Sequence, residues 1–253
     1  MILYFSATGN NKYIAQKIAG LTADAAVSIE EYKENQICLK EGENLGIIVP
    51  TYFLELPPNM VSFLNDVTFV LPNNTYVFGV VTYGSTSGAC GAHLKSVLNN
   101  KGINTDALFS IITPDTWTIA YDLSDPKQVN KILMRTEAQL AQTIEKIKKR
   151  KKGDFRTRQL PFFVKWIWDV AYQKARQTSH FHVEDSCIGC GLCKKNCPEK
   201  AIEIQNGRPV WRKDKCLVCL RCLHSCPEFS IQYGDKTAAH GQYRHEMYRE
   251  VRK

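Results

Sequence analysis

In its 253 residues the chain has no uninterrupted apolar stretch of the length, about 18 residues, that a membrane helix needs. No transmembrane segment is therefore expected, and contact with a membrane surface is a minor option. The N-terminus lacks the basic region and long apolar core of an export signal. It passes from Met1 directly into Ile2–Phe5, which reads as a first strand. No Gly-Lys-Ser/Thr follows a glycine-rich loop, and no G-x-G-x-x-G is present, which excludes a P-loop and a nicotinamide-dinucleotide fingerprint. Cysteine is missing over long distances: of ten, eight crowd between Cys187 and Cys226, and only Cys38 and Cys90 lie elsewhere. Clustered cysteines without an export signal point to a cytoplasmic metal protein, not a secreted disulfide scaffold.

The net charge of +8 hides a strong asymmetry. Residues 1–125 carry 6 basic and 12 acidic side chains, residues 126–179 carry 14 and 4, and the remainder 13 and 9. Basic character of this local kind argues against a nucleic-acid partner and for something narrower.

The first part of the chain alternates short β-branched or aromatic runs with helical patterns, the signature of a parallel sheet wrapped by helices. Strands are expected at Ile2–Phe5, Ala26–Ile29, Leu45–Thr51, Tyr76–Tyr83 and Leu108–Thr113. Helices are expected at Asn11–Ala19, Asn59–Leu64 and Ala92–Lys101, with a long helix from Asp125-Pro126 to about Lys152 that Gly153 stops. Four regions follow: residues 1–152, a basic and aromatic bridging segment 153–179, a cysteine-rich module 180–234, and a basic tail 235–253.

The module contains an internal repeat. Residues 187–204 match 216–233 at an offset of 29, and each copy reads C-x2-C-x2-C-x3-C-P. The first three thiolates of such a run hold one [4Fe–4S] cubane, and the fourth ligates the neighbouring cluster. Cluster I then takes Cys187, Cys190, Cys193 and Cys226, and cluster II takes Cys216, Cys219, Cys222 and Cys197. Zinc or disulfides are the alternatives, but duplicated runs of four, each followed by proline, favour iron–sulfur clusters. Such clusters suit an anaerobic host. His224, inside the second run, reads as a solvated or capping side chain. His180 and His182 are not needed as ligands.

Strand Ile2–Phe5 leads through Ser6-Ala7-Thr8-Gly9-Asn10-Asn11 into a helix. Hydroxyls and backbone amides at a helix N-terminus suit a phosphate, here without lysine or arginine. Phe5–Asn11 resembles the FMN-phosphate loop of flavodoxins, S/T-x-T-G-N-T, with Asn11 standing where that pattern has threonine. The whole chain resembles fused flavodoxin–ferredoxin proteins of anaerobes. The resemblance implies a flavodoxin-like doubly wound α/β sheet followed by a small α+β ferredoxin-like domain with two clusters. It also implies FMN, held by Ser6, Thr8, Gly9, Asn10 and Asn11. The flavin ring would meet Thr51, Tyr52 and Phe53 after the third strand, Tyr83, Gly84 and Ser85 after the fourth, and Trp117 beyond the fifth.

Lys146–Arg158 and the aromatic stretch Leu160–Arg176 read as a solvated helix end and a helix packed between the two domains. The best functional reading of the basic run is docking of an acidic protein. Cys38 reads as inert and Cys90 as a small buried residue. With two kinds of redox centre on one chain, the expected function is transfer of low-potential electrons between clusters and FMN and to or from a partner oxidoreductase. No catalytic residue is expected on that reading. The alternative is an FMN-dependent reductase of a small substrate, fed by its own clusters.

Overall fold

The computed structural model describes residues 1–160 and 165–246, with only the backbone described for 165–167. Its strands and helices in the first part are β1 (Ile2–Tyr4), α1 (Asn10–Thr22), β2 (Ala26–Ser28), β3 (Gln36–Cys38), β4 (Leu45–Pro50), α2 (Pro58–Asp66), β5 (Thr68–Val70), β6 (Val77–Tyr83), α3 (Cys90–Asn100), β7 (Ala107–Ile112), α4 (Pro126–Lys148) and β8 (Gly153–Phe155). The second part adds α5 (Lys165–Ala175), β9 (Phe181–Val183), α6 (Leu192–Lys195), β10 (Ile202–Gln205), β11 (Arg208–Trp211), α7 (Arg221–Ser225), β12 (Ile231–Tyr233) and α8 (Thr237–His240).

Continuous apolar sequence makes β4, β6 and β7 the centre of the main sheet, because strands covered on both faces can carry no polar alternation. The sheet order is β2-β1-β4-β6-β7-β8, with every pairing parallel. This is the 2-1-3-4-5 doubly wound order with one strand added at the edge. Apolar residues of α1 and α4, including Ile14, Ile18, Leu140 and Ile144, pack with Ile48, Phe78, Val80 and Phe109 on one face. Met60, Leu64, Leu94 and Leu98 of α2 and α3 pack with Leu3, Phe5, Ile47 and Val81 on the other. The chain leaves β1 in one direction and β4 in the other, so a crevice opens at the carboxyl ends of these two strands.

The expected strands and helices are present with small shifts of their ends. Two features depart from the sequence reading. β3 and β5 form a separate two-stranded parallel sheet. Gly153 does not merely stop the long helix: it begins β8, which pairs with β7 through Ala107–Gly153, Leu108–Asp154 and Phe109–Phe155. The segment expected to start a bridge thus starts as an edge strand. Phe155 stacks on Phe109 at 5.2 Å, and Lys146 Nζ lies 4.5 Å from the Phe155 ring centre. One aromatic residue in a three-residue strand is too short a pattern to register as a strand in sequence.

The cysteine-rich part holds two antiparallel pairs, β10–β11 and β9–β12. β10 and β11 are joined by Asn206-Gly207, both at positive φ, the preferred chemistry for a two-residue hairpin turn. α6 and α7 start at matching positions of the repeat, one short helix in each cysteine run. Of the aromatic stretch, Phe162, Phe163 and the Trp166 side chain lie outside the described residues, as do tail residues 247–253. Among the described residues no helix is long and apolar enough to cross a membrane.

One core position tests the packing argument. A Cβ added at Gly46 on β4 would lie 2.5 Å from the Phe78 ring, which is itself fully buried. Gly46→Ala is expected to cost about 1–3 kcal/mol. Chemical denaturation should show a lower midpoint with an unchanged slope.

Candidate functional site

A cleft of about 320 Å³ lies at the carboxyl ends of β1, β4, β6 and β7. It is lined by Ser6, Thr8, Asn10 and Asn11 from the first loop, and by Thr51, Tyr52 and Phe53 from the second. Tyr83, Gly84 and Ser85 line it from the third loop and Trp117 from the fourth. Gly9 does not line the cleft itself. It holds the left-handed conformation, φ 100°, that turns the strand into α1, and its N–H donates to Ser6 Oγ at 3.1 Å.

No side chain caps α1, so its first amides keep the donor capacity that an anion at a helix N-terminus uses. Asn11 does not take the place of a threonine hydroxyl at the cleft. Its Nδ2 donates to the Phe5 carbonyl at 2.9 Å and its Oδ1 accepts from Thr82 Oγ1 at 2.6 Å. The side chain therefore ties the loop to β1 and β6, and its role is to fix the loop's shape.

The second loop is a tight turn. Tyr52 and Glu55 exchange backbone hydrogen bonds of 3.0 and 2.9 Å, with Phe53 and Leu54 at φ 46° and 71°. Non-glycine residues there cost backbone strain, and three anchors hold them. The Leu54 carbonyl accepts from Ala89 N at 2.8 Å, and Glu55 pairs with His93. The Phe53 ring stacks on Tyr172 of α5 at 4.9 Å and meets Trp117 edge-on at 5.0 Å. Burial pushes the Tyr52 hydroxyl well above its usual range, which keeps it neutral.

Residues 157–160, beyond β8, clamp the third loop. Ser87 N donates to Arg158 O at 3.1 Å, and Ser87 Oγ donates to Thr157 O at 2.7 Å. Tyr83 is buried and its hydroxyl lies 3.2 Å from Thr157 Oγ1, so its ring belongs to the cleft's foundation as well as its wall. Gly84 is required by Asp115: a Cβ added there would stand 2.1 Å from the carboxylate. Asp115 accepts from Trp117 N at 3.1 Å, and desolvation raises its pKa to about 6. No reading of spacing alone pointed to this carboxyl.

The cysteine residues gather around two further cavities. One is lined by Cys187, Cys190, Cys193 and Cys226, the other by Cys197, Cys216, Cys219 and Cys222. Among the described residues no three side chains converge tightly enough to hold a single metal ion. Four sulfurs ringing a cavity suit a polynuclear group. The second cavity adjoins the cleft, because Val218, Cys219 and Leu220 line both.

Arg221, between Cys219 and Cys222, reaches back into the sheet domain. Its Nη1 and Nη2 donate to Glu30 at 2.7 and 2.6 Å, Nη2 to Ser6 O at 2.8 Å, and Nη1 to Asn196 O at 3.0 Å. His224 is buried, which corrects its reading as a solvated or capping residue. It contacts the Thr116 carbonyl through Nε2 at 2.9 Å and accepts from Tyr243 N, and desolvation lowers its pKa to about 4. The C-terminal segment then returns to the first loop: Tyr243 OH donates to Asn10 Oδ1 at 2.7 Å and His245 N to Thr8 O at 2.8 Å. Of the remaining cysteines, Cys90 is buried as expected and its thiol is pushed up to about 12, whereas Cys38 is exposed on β3.

The Asp115 environment makes a prediction. A carboxyl with a raised folded-state pKa binds its proton more tightly when folded, so stability is lost as pH rises from the unfolded value of about 4 through about 6. Asp115→Asn removes that loss. It should stabilise the protein by about 1–2 kcal/mol at pH 7.5 and by much less at pH 4, measured by urea unfolding at both pH values. An equal effect at both would show that Asp115 does not titrate in this range.

Two family models agree with this geometry. Residues 1–157 match the flavodoxin domain model, and residues 186–231 match the 4Fe-4S dicluster domain model. No curated protein matches. Among solved structures, the chain is similar to a rubredoxin oxygen:oxidoreductase from the anaerobe Desulfovibrio gigas, at 12% identity and TM-score 0.34. That alignment covers 57% of this chain and spans only 35% of the other. A flavodoxin from the domain Archaea aligns at 17% identity and TM-score 0.35, covering 57% of this chain and 96% of that one. The chain therefore belongs to the flavodoxin-domain family, with a 4Fe-4S dicluster domain fused after the flavodoxin domain.

Proposed function

We propose that the protein passes single electrons through two [4Fe–4S] clusters to or from FMN, and exchanges them with a partner oxidoreductase. When bound, FMN supplies one- or two-electron chemistry and each cubane one-electron chemistry. Ser6, Thr8, Asn10 and the first amides of α1 hold the phosphate, with Gly9 and Asn11 shaping the loop. Thr51, Tyr52, Phe53, Gly84, Ser85 and Trp117 flank the ring, and Tyr83 supports it. Cys187, Cys190, Cys193 and Cys226 ligate cluster I, while Cys216, Cys219, Cys222 and Cys197 ligate cluster II.

The observation that carries this reading is the shared wall: Cys219 belongs both to the cleft and to the second cysteine cavity. Electron transfer falls steeply with distance, so a ligand common to both sites favours exchange within one chain. Cluster I lies on the far side, where Cys190 is exposed and Ile188 is 64% exposed. That end suits contact with the partner. A separate patch of exposed Lys148, Lys149 and Lys151, at the amino ends of β6 and β7, also suits an acidic protein.

Anaerobic reconstitution is expected to give about eight irons, eight sulfides and one FMN per chain. After rapid reduction of the clusters, flavin bleaching should proceed at a rate independent of protein concentration. A rate proportional to concentration would sink the intramolecular route. Cys197→Ala should leave about four irons, because the other ligand set stays whole. Loss of both clusters would argue against separable ligand sets.

One observation favours the second reading, a reductase of a small substrate: Asp115 places a proton-exchanging carboxyl in the cleft near neutral pH. Oxidation of the reduced flavin by a small substrate with no partner protein present would establish it.

A further inference from the structure

We infer that Arg221 sets the reduction potential of cluster II above the value the cysteine run alone would give it, and thereby draws electrons from cluster I toward the flavin cleft. The inference rests on the two-cluster reading above.

Three observations converge on it. The first is asymmetry within the repeat: the residue matching Arg221 in the first run is Leu192, so only the second run carries a cation between its second and third cysteines. The second is placement. The guanidinium touches Asn196, which precedes Cys197, and itself lies between Cys219 and Cys222, so it is fixed to both segments that supply ligands to cluster II.

The third is the orientation of its counter-charge. The Arg221 side chain is 8% exposed and that of its partner Glu30 is 29% exposed. The carboxylate is the partner that water screens, and the cation is the one buried beside the thiolates. The pair therefore presents its positive end to cluster II, and its field favours the state with one more electron. A one-electron donor such as a reduced ferredoxin-type protein reduces cluster I. That electron then passes to oxidised cluster II, leaving cluster I oxidised, with no proton or bond change.

The test is an anaerobic redox titration of the reconstituted holoprotein, with both clusters followed by electron paramagnetic resonance. The wave lost in Cys216→Ala identifies cluster II. Arg221→Gln should lower the ratio of reduced to oxidised cluster II about tenfold at a fixed solution potential. That corresponds to about 59 mV for a one-electron couple, with cluster I unmoved. Arg221→Lys should recover part of the shift.

Glu30→Gln should move cluster II in the opposite direction, because it unmasks the guanidinium. A residue that only braced the interface would give shifts of the same sign in Arg221→Gln and Glu30→Gln, and that result overturns the inference. Were Arg221→Gln to fail to fold, an unmoved or lowered cluster II potential in Glu30→Gln would overturn it as well. Fewer than about eight irons in the wild type would instead overturn the two-cluster reading itself.

Discussion

A guanidinium buried where two domains meet imposes a strict demand, because a charge withdrawn from water must be paired and hydrogen-bonded on every side. Through its two Nη groups Arg221 is paired and hydrogen-bonded to partners that come from both domains. Glu30 follows β2, Ser6 follows β1, and Asn196 belongs to the first cysteine run. These partners can be satisfied together in only one relative placement of the sheet and the cysteine module. The apolar contacts follow from it. Leu217 packs in the core of the sheet domain, Tyr52 and Phe53 pack with the core of the cysteine module, and the Tyr172 hydroxyl donates to Leu217 O at 3.1 Å. The cleft is therefore a property of the whole chain, with walls from both domains.

Much of this was legible in the sequence, for reasons that differ by element. β4, β6 and β7 show as unbroken apolar runs because both their faces are covered. The cysteine runs show because ligand chemistry fixes their spacing. The Ser6–Asn11 loop shows because a strand, a hydroxyl-rich turn and a helix start occur in one short stretch. β3, β5 and β8 escaped because each is three residues of mixed polarity with no apolar run to mark it, whereas the equally short β1 lies in the apolar run Ile2–Phe5. His224 was misread because its neighbours Thr116 and Tyr243 are far away in sequence, and nothing local signals burial. Asp115 carried no local signal, because its proton affinity comes from desolvation, which only the fold determines. Arg221 had a signal that sequence comparison within the chain exposes, namely the mismatch with Leu192.

The repeat itself shows how one motif serves two environments. Gly189 and Gly191 adopt positive φ in the first run, and Val218 and Leu220 hold the same left-handed conformations at the matching positions of the second. Left-handed backbone is cheap for glycine and costly for a β-branched residue such as valine. In the first run a Cβ on Gly189 would lie 2.7 Å from the Gly207 carbonyl oxygen, and a Cβ on Gly191 would meet open space. The second faces the cleft, where Val218 and Leu220 are 5% and 2% exposed. Their burial as apolar wall offsets the backbone strain, and they line both the cleft and the second cysteine cavity.

The return of the C-terminal segment to the first loop bears on biosynthesis. Thr8 and Asn10 are synthesised well before Tyr243 and His245, which bind them, because 233 residues separate Asn10 from Tyr243. The sheet can form and close its core long before those partners exist. The crevice at its edge stays open on that side until residues 243–245 have been made, so its accessibility has a time window set by translation.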